Sequence, residues 1–145
     1  MVDNERLVLL VEDEPAMSGM LRRVLVAGGY DVARASTGRE AIDLFGSAKP
    51  AIVLSDIRLP DLDGHEFLSE IRLQYPEQTW TPVVMMTAFH DQATRLKSLK
   101  LRADGFLEKP IDHMILIATL RNRLERAAEL RRTARLALDA LDAAS

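Results

Sequence analysis

The chain contains no cysteine. That excludes disulfides, thiolate metal sites and cysteine nucleophiles, and it fits a reducing cytoplasmic setting. No apolar run approaches the ~20 residues of a membrane-spanning helix, and the polar opening from Met1 to Arg6 does not read as a signal peptide. A glycine-rich phosphate loop and a Ser-His-Asp set are both missing. His65, His90 and His113 lack zinc-type spacing and read as surface or helix-cap residues on separate segments. A strong charge of one sign is lacking too. The net charge is −3, with 13 Lys/Arg against 17 Asp/Glu over residues 1–110 and 6 Arg against 5 acids over residues 111–145. An acidic body argues against direct nucleic-acid binding, and the basic excess of the tail is too small to support it.

What is present suits one domain of 145 residues, 48% hydrophobic and 28% charged, large enough to build a core without staples. Leu7-Val8-Leu9-Leu10-Val11, Ala51-Ile52-Val53-Leu54-Ser55 and Val83-Val84-Met85-Met86 are unbroken apolar runs, the pattern of strands buried on both faces. Tyr30 to Ala35 alternates weakly, as a half-exposed edge strand does, and Phe106-Leu107 is a short fifth strand.

Between the strands lie helical patterns. Met17, Met20, Leu21, Val24 and Leu25 recur at helical spacing after Pro15, with acids 12–14 suited to the helix dipole and Gly28-Gly29 as the stop. Thr37-Gly38-Arg39-Glu40 has the form of a capping box, and Gly46 and Lys49-Pro50 close that helix. Asp63 to Glu66 begins a third helix that ends at Tyr75-Pro76. Asp91 can cap a fourth carrying Ala93, Leu96 and Leu99, and Ala103-Asp104-Gly105 is a turn. A last helix runs from about Asp112. Five strands alternating with five helices require crossover connections. They predict an α/β, doubly wound five-stranded parallel sheet of flavodoxin-like order 2-1-3-4-5, with an extended C-terminal helix.

In such a sheet the carboxyl ends of strands one, three, four and five converge. Those ends carry Glu12 and Asp13, Asp56, Thr87 and Lys109. Each has an ordinary alternative: dipole partners, a turn residue, a strand-forming Thr, a solvated Lys. Together they make one device. Three converging carboxylates call for a cation, and an all-oxygen set points to Mg²⁺. With charge neutralised by the metal and Lys109, a carboxylate can attack a phosphoryl group and form an acyl phosphate, while the Thr87 hydroxyl donates to a phosphate oxygen.

The motifs Leu9-Leu10-Val11-Glu12-Asp13-Glu14, Leu54-Ser55-Asp56 through Asp63-Gly64, Met85-Met86-Thr87-Ala88 and Gly105-Phe106-Leu107-Glu108-Lys109-Pro110 resemble the receiver domain of two-component response regulators, over about residues 5–126. The resemblance implies that Asp56 is the phospho-acceptor. It implies that Glu12, Asp13, Asp56 and the backbone carbonyl of Arg58 hold Mg²⁺, and that Thr87 and Lys109 bind the phosphoryl group. Phe106 would be the switch aromatic, with a plain core Phe as the alternative, and Lys109-Pro110 would be a cis peptide. Glu12 stands where many members have Asp, and Phe106 lacks the hydroxyl of a Tyr. The implied partner is a histidine kinase or phosphotransfer protein. Phosphorylation would move Thr87 and Phe106 and repack the face of the fourth helix, fifth strand and fifth helix.

The resemblance sets a receiver domain over 1–126 and a helical extension over 127–145. Ile117, Leu120, Leu124, Ala127, Ala134, Leu138 and Leu141 follow a heptad spacing that Arg131 interrupts. It reads as a coiled-coil linker and a homodimer contact, or as one helix packed on its own domain. Two other functions are weighed. A haloacid-dehalogenase-type hydrolase needs a second Asp two residues after its nucleophile, and Arg58 stands there. A pseudo-receiver would not need the intact Asp56, acidic pair, Thr87 and Lys109.

Overall fold

The computed structural model describes residues 4–88, 96, 100 and 102–144. Of the helix expected from Asp91, only residues 96 and 100 are described, and both are helical; the rest of it, with Asp91, Ala93 and Leu99, falls outside these residues. Five strands form one parallel sheet in the order β2-β1-β3-β4-β5. They are β1 (Leu7–Val11), β2 (Asp31–Ala35), β3 (Ile52–Asp56), β4 (Val83–Thr87) and β5 (Gly105–Glu108). The three inner strands are the three continuous apolar runs, and β3 and β4 are buried along their whole length.

Successive side chains of a strand point to opposite faces, so each inner strand feeds two cores. On one face Val8, Leu10, Leu54 and Met86 pack with Leu21 and Leu25 of α1 (Pro15–Ala27) and with Leu116 and Leu120 of α4 (His113–Ala144). On the other, Leu9, Val11, Val53 and Met85 pack with Phe45 of α2 (Gly38–Ala48) and with Phe67 and Ile71 of α3 (Gly64–Gln74).

Helix ends follow the local chemistry in part. The Thr37 hydroxyl accepts from the Glu40 amide at 3.1 Å, as an N-cap should. Asp63 caps α3 in the same way at 2.8 Å, and Asp112 accepts from the amides of Met114 and Ile115. Three expectations are corrected. Gly46 does not close α2, which runs on to Ala48 with Lys49 in the left-handed region at φ 49°. A Cβ on Gly46 would meet the Tyr75 ring at 2.3 Å, so the glycine admits that ring rather than ending the helix. The first turn of α1 contains no acid, because Glu14 is the residue before it and Glu12 turns toward the sheet edge instead. Gly105, expected in a turn, is the first residue of β5.

The last helix is continuous from His113 to Ala144. The heptad stripe divides along it. Leu120 and Ala127 are buried, and Ile117 and Leu124 pack against the same core, so this half is spent on the chain's own sheet. Leu138 and Leu141 lie on the same side further along, where no sheet remains beneath them, and are exposed. Among the described residues, no helix is long and apolar enough to cross a membrane.

Candidate functional site

The parallel register sets the site. Val11 pairs with Ser55 across β1 and β3, and Asp56 pairs with Met86 across β3 and β4. Glu12 therefore follows β1 beside the last residue of β3. Glu12 is held there by its own amide, which donates to the Ala35 carbonyl at 3.1 Å. Thr87 ends β4, and its carbonyl accepts from the Lys109 amide at 2.8 Å, which draws the end of β5 against β4. Lys109-Pro110 is cis.

Glu12, Asp56 and Thr87 are 3%, 8% and 1% exposed, unusual burial for polar side chains at a strand end. Asp13 is exposed at the mouth. Asp56 Oδ1 accepts from the Arg58 amide at 3.0 Å, and Oδ2 accepts from Lys109 Nζ at 2.6 Å. Lys109 Nζ also lies 3.7 Å from Glu12 Oε2. One ammonium thus faces two buried carboxylates, with the charge of Asp13 close by. Burial pushes the Glu12 carboxyl up, and the neighbouring Asp56 adds to this by accepting a bond from the protonated form and by repelling the charged one; Glu12 titrates at about 7. Burial alone would lower the Lys109 ammonium, but the bond to Asp56 and the charges of Asp56, Glu12 and Asp13 outweigh it and hold it above its ordinary value.

Two atoms stand out. Among the described residues, neither Glu12 Oε2 nor Thr87 Oγ1 has a hydrogen-bond partner, although both are buried. Buried polar atoms are normally satisfied, so such a pair marks a place that a ligand completes. Carboxylate oxygens of Glu12, Asp13 and Asp56 lie within 4.8 Å of one another. All are hard donors, and together with the orphaned Glu12 Oε2 they suit a small divalent cation such as Mg²⁺.

The loop after β3 holds this arrangement from below. Gly64 donates to the Ile57 carbonyl at 2.7 Å, and a Cβ on Gly64 would come within 3.1 Å of that same oxygen. The backbones of Arg58 and Asp63 pair in a single antiparallel β-bridge. Asp61, singled out by nothing in the sequence beyond its place in the motif, reaches across to cap α2. Its two carboxylate oxygens accept from the Gly38 amide at 2.8 Å and the Arg39 amide at 3.0 Å. Burial pushes the Asp61 carboxyl up, but the bonds from the Arg39 and Gly38 amides, with the Arg39 charge, together outweigh it and hold the carboxyl below its ordinary range.

The sequence-selected residues Glu12, Asp13, Asp56, Thr87 and Lys109 are therefore brought to one sheet edge. Phe106 is half-buried one strand away, packed on the face that α2 and α3 cover. His65 and His113 begin different helices and take no part, and His90 lies outside the described residues.

Comparison with known proteins agrees with this geometry. Residues 8–121 match the response regulator receiver domain. The transcriptional regulatory protein TrcR of Mycobacterium tuberculosis is 38% identical over 131 residues, which are 90% of this chain and 50% of that protein. The probable transcriptional regulator ycf27 of Guillardia theta is 37% identical over 86% of this chain and 48% of its own length. The chain thus spans about half the length of the curated relatives it matches. Among solved structures, the signal receiver domain of a LuxO repressor protein from Vibrio parahaemolyticus superposes with a TM-score of 0.77 at 29% identity, covering 88% of this chain and 96% of that one. The chain belongs to the response regulator receiver domain family.

Proposed function

We propose that Asp56 accepts a phosphoryl group from a histidine kinase or phosphotransfer protein, and that the chain works as a switch rather than as a turnover enzyme. One observation carries this reading: the Asp56 carboxylate stands at the end of a buried strand, fixed by the Arg58 amide and by Lys109 Nζ, beside two further acids. An Asp56 oxygen attacks the phosphorus of a phosphohistidine. The P–O bond forms as the P–N bond breaks, and the electron pair returns to the donor's imidazole, which is protonated as it leaves.

The chain's own residues position and neutralise. Lys109 pairs with Asp56 at rest and turns to a phosphoryl oxygen after transfer. The Thr87 hydroxyl donates to another such oxygen and gains the partner it lacks. Glu12, Asp13, Asp56 and the Arg58 backbone carbonyl would hold Mg²⁺, which supplies charge neutralisation for the incoming phosphoryl group. As Thr87 moves, Phe106 packs into the vacated space, and the face that includes β5 and α4 changes its balance of states. A hydrolase cycle would need an acid where Arg58 stands. We read residues 1–126 as the receiver unit, residues 127–145 as a helical extension through which two copies associate, and the setting as cytoplasmic.

Incubation with acetyl phosphate and Mg²⁺, followed by intact mass, tests the reading. Wild type gains one phosphoryl group, and the gain disappears without Mg²⁺ and in Asp56→Asn. An equal gain in Asp56→Asn overturns the assignment.

A further inference from the structure

The second half of α4 is the largest feature that the phosphorylation site leaves unexplained. Helical periodicity of about 100° per residue places Arg131, Ala134, Leu138 and Leu141 on the side that Leu116, Leu120 and Ala127 bury against the sheet. Arg131 and Arg132 still line a cleft with Glu5, Arg6 and Tyr30 of the domain; beyond them that side has left the domain, and Leu138 and Leu141 are 62% and 68% exposed. The two flanks of the stripe differ. One carries Arg132 and Arg135 followed by Asp139 and Asp142, with the bases first and the acids after. The other carries Leu130, Ala137 and Ala144.

We propose that two copies of this chain pair antiparallel through residues 131–144 of α4. The proposal rests on the association assigned above to this helix and gives it an orientation and a register. In a parallel pair each charged flank would face the Ala137 and Ala144 flank of the second copy, so the charges would not meet, and Arg131 would stack on Arg131. The parallel arrangement also meets an obstacle in the fold. The receiver domain sits on the same side of α4 as the stripe, so two in-register parallel helices would drive the two domains into one space.

An antiparallel pair removes both conflicts. The domains lie at opposite ends, and each charged flank meets the same flank reversed. Arg135 then faces Asp142 of the second copy, and Arg132 and Asp139 add the same complementarity further out. Leu138 packs beside Leu141 of the second copy. The Ala flank lets the backbones approach closely. The contact is isologous and closes on itself, as two-fold interfaces do.

The test uses the full chain of residues 1–145 in sedimentation velocity over a range of concentrations. Wild type associates with rising concentration. Arg135→Asp alone and Asp142→Arg alone each weaken self-association by about tenfold or more through like-charge contacts. An equimolar mixture of the two restores it, because each altered residue then faces its complement. The absence of native cysteine allows a second readout. Leu138→Cys mixed with Leu141→Cys under mild oxidation gives mainly the mixed disulfide. A monomer at every concentration overturns both the association and its geometry. A stable dimer in which Leu138→Cys links chiefly to itself, or in which the mixture fails to restore association, overturns the antiparallel register alone.

Discussion

The two ends of the sheet treat clustered charge in opposite ways. At the amino end of β4 the Arg72 guanidinium is spread over three carbonyls, donating to Thr81 at 3.0 Å and to Gln78 and Thr79 at 3.3 Å, and it pairs with Asp104 at 3.6 Å. Asp104 in turn accepts from the Val83 amide at 2.7 Å. That cluster ties α3, β4 and the start of β5 together, and its charges oppose partners of the right sign. At the carboxyl end, Lys109 is shared between Asp56 and Glu12, and Glu12 Oε2 and Thr87 Oγ1 lack hydrogen-bond partners among the described residues. The Arg72 cluster finds partners for its charges within the protein, although the Gln78 side chain beside it is also buried without a hydrogen-bond partner among the described residues. A cluster left short of partners is poised for something from outside.

The comparison can be tested where the effect is largest, at Glu12. Its native titration near 7 lies above its unfolded value near 4.5, so the folded chain holds a proton that the unfolded chain has lost. The stabilising contribution is complete below about 4.5 and disappears as pH rises through about 7. Denaturant titrations of the metal-free protein should show stability falling across that window, by up to about 3 kcal/mol. Glu12→Gln should flatten the slope, and Mg²⁺ should raise wild-type stability at pH 8 more than that of the variant.

At the opposite end, Arg72→Ala should cost about 2 kcal/mol through lost charged hydrogen bonds, with no change in the Mg²⁺ response or in phosphoryl gain. A change in either would erase the distinction between the two ends. The smallest effect is expected at Asp61, which lies near the site but acts as a helix cap. Asp61→Ala should lower stability by about 1 kcal/mol in thermal unfolding and leave Mg²⁺ binding intact.

Much of this was legible in the sequence because the relevant signals are local. Three continuous apolar runs marked the inner strands, the weak run 30–35 marked an edge, and the residues ending the runs marked the site. What escaped depends on contacts between segments far apart. Gly46 carries a stop signal in sequence, yet the ring of Tyr75, 29 residues on, explains it. Asp61 caps a helix more than 20 residues before it, which no local pattern announces. The heptad stripe of α4 was visible, but the division of that stripe between the chain's own sheet and open solvent appears only when the sheet's extent is known. The burial of Glu12 follows from register, since only the flush pairing of β1 and β3 sets it against Asp56.

The unbroken course of α4 also has a mechanical consequence. Some 17 residues continue past Ala127, a rod of about 25 Å at the rise of an α-helix. Its base is clamped on the sheet by Leu116 and Leu120, so whatever tilts that clamp swings the far end as a pointer swings on its pivot. A tilt of about 10° would carry the tip roughly 4 Å over that length. A tilt of that size at the clamp would thus be read out at the tip as a displacement larger than a hydrogen bond is long.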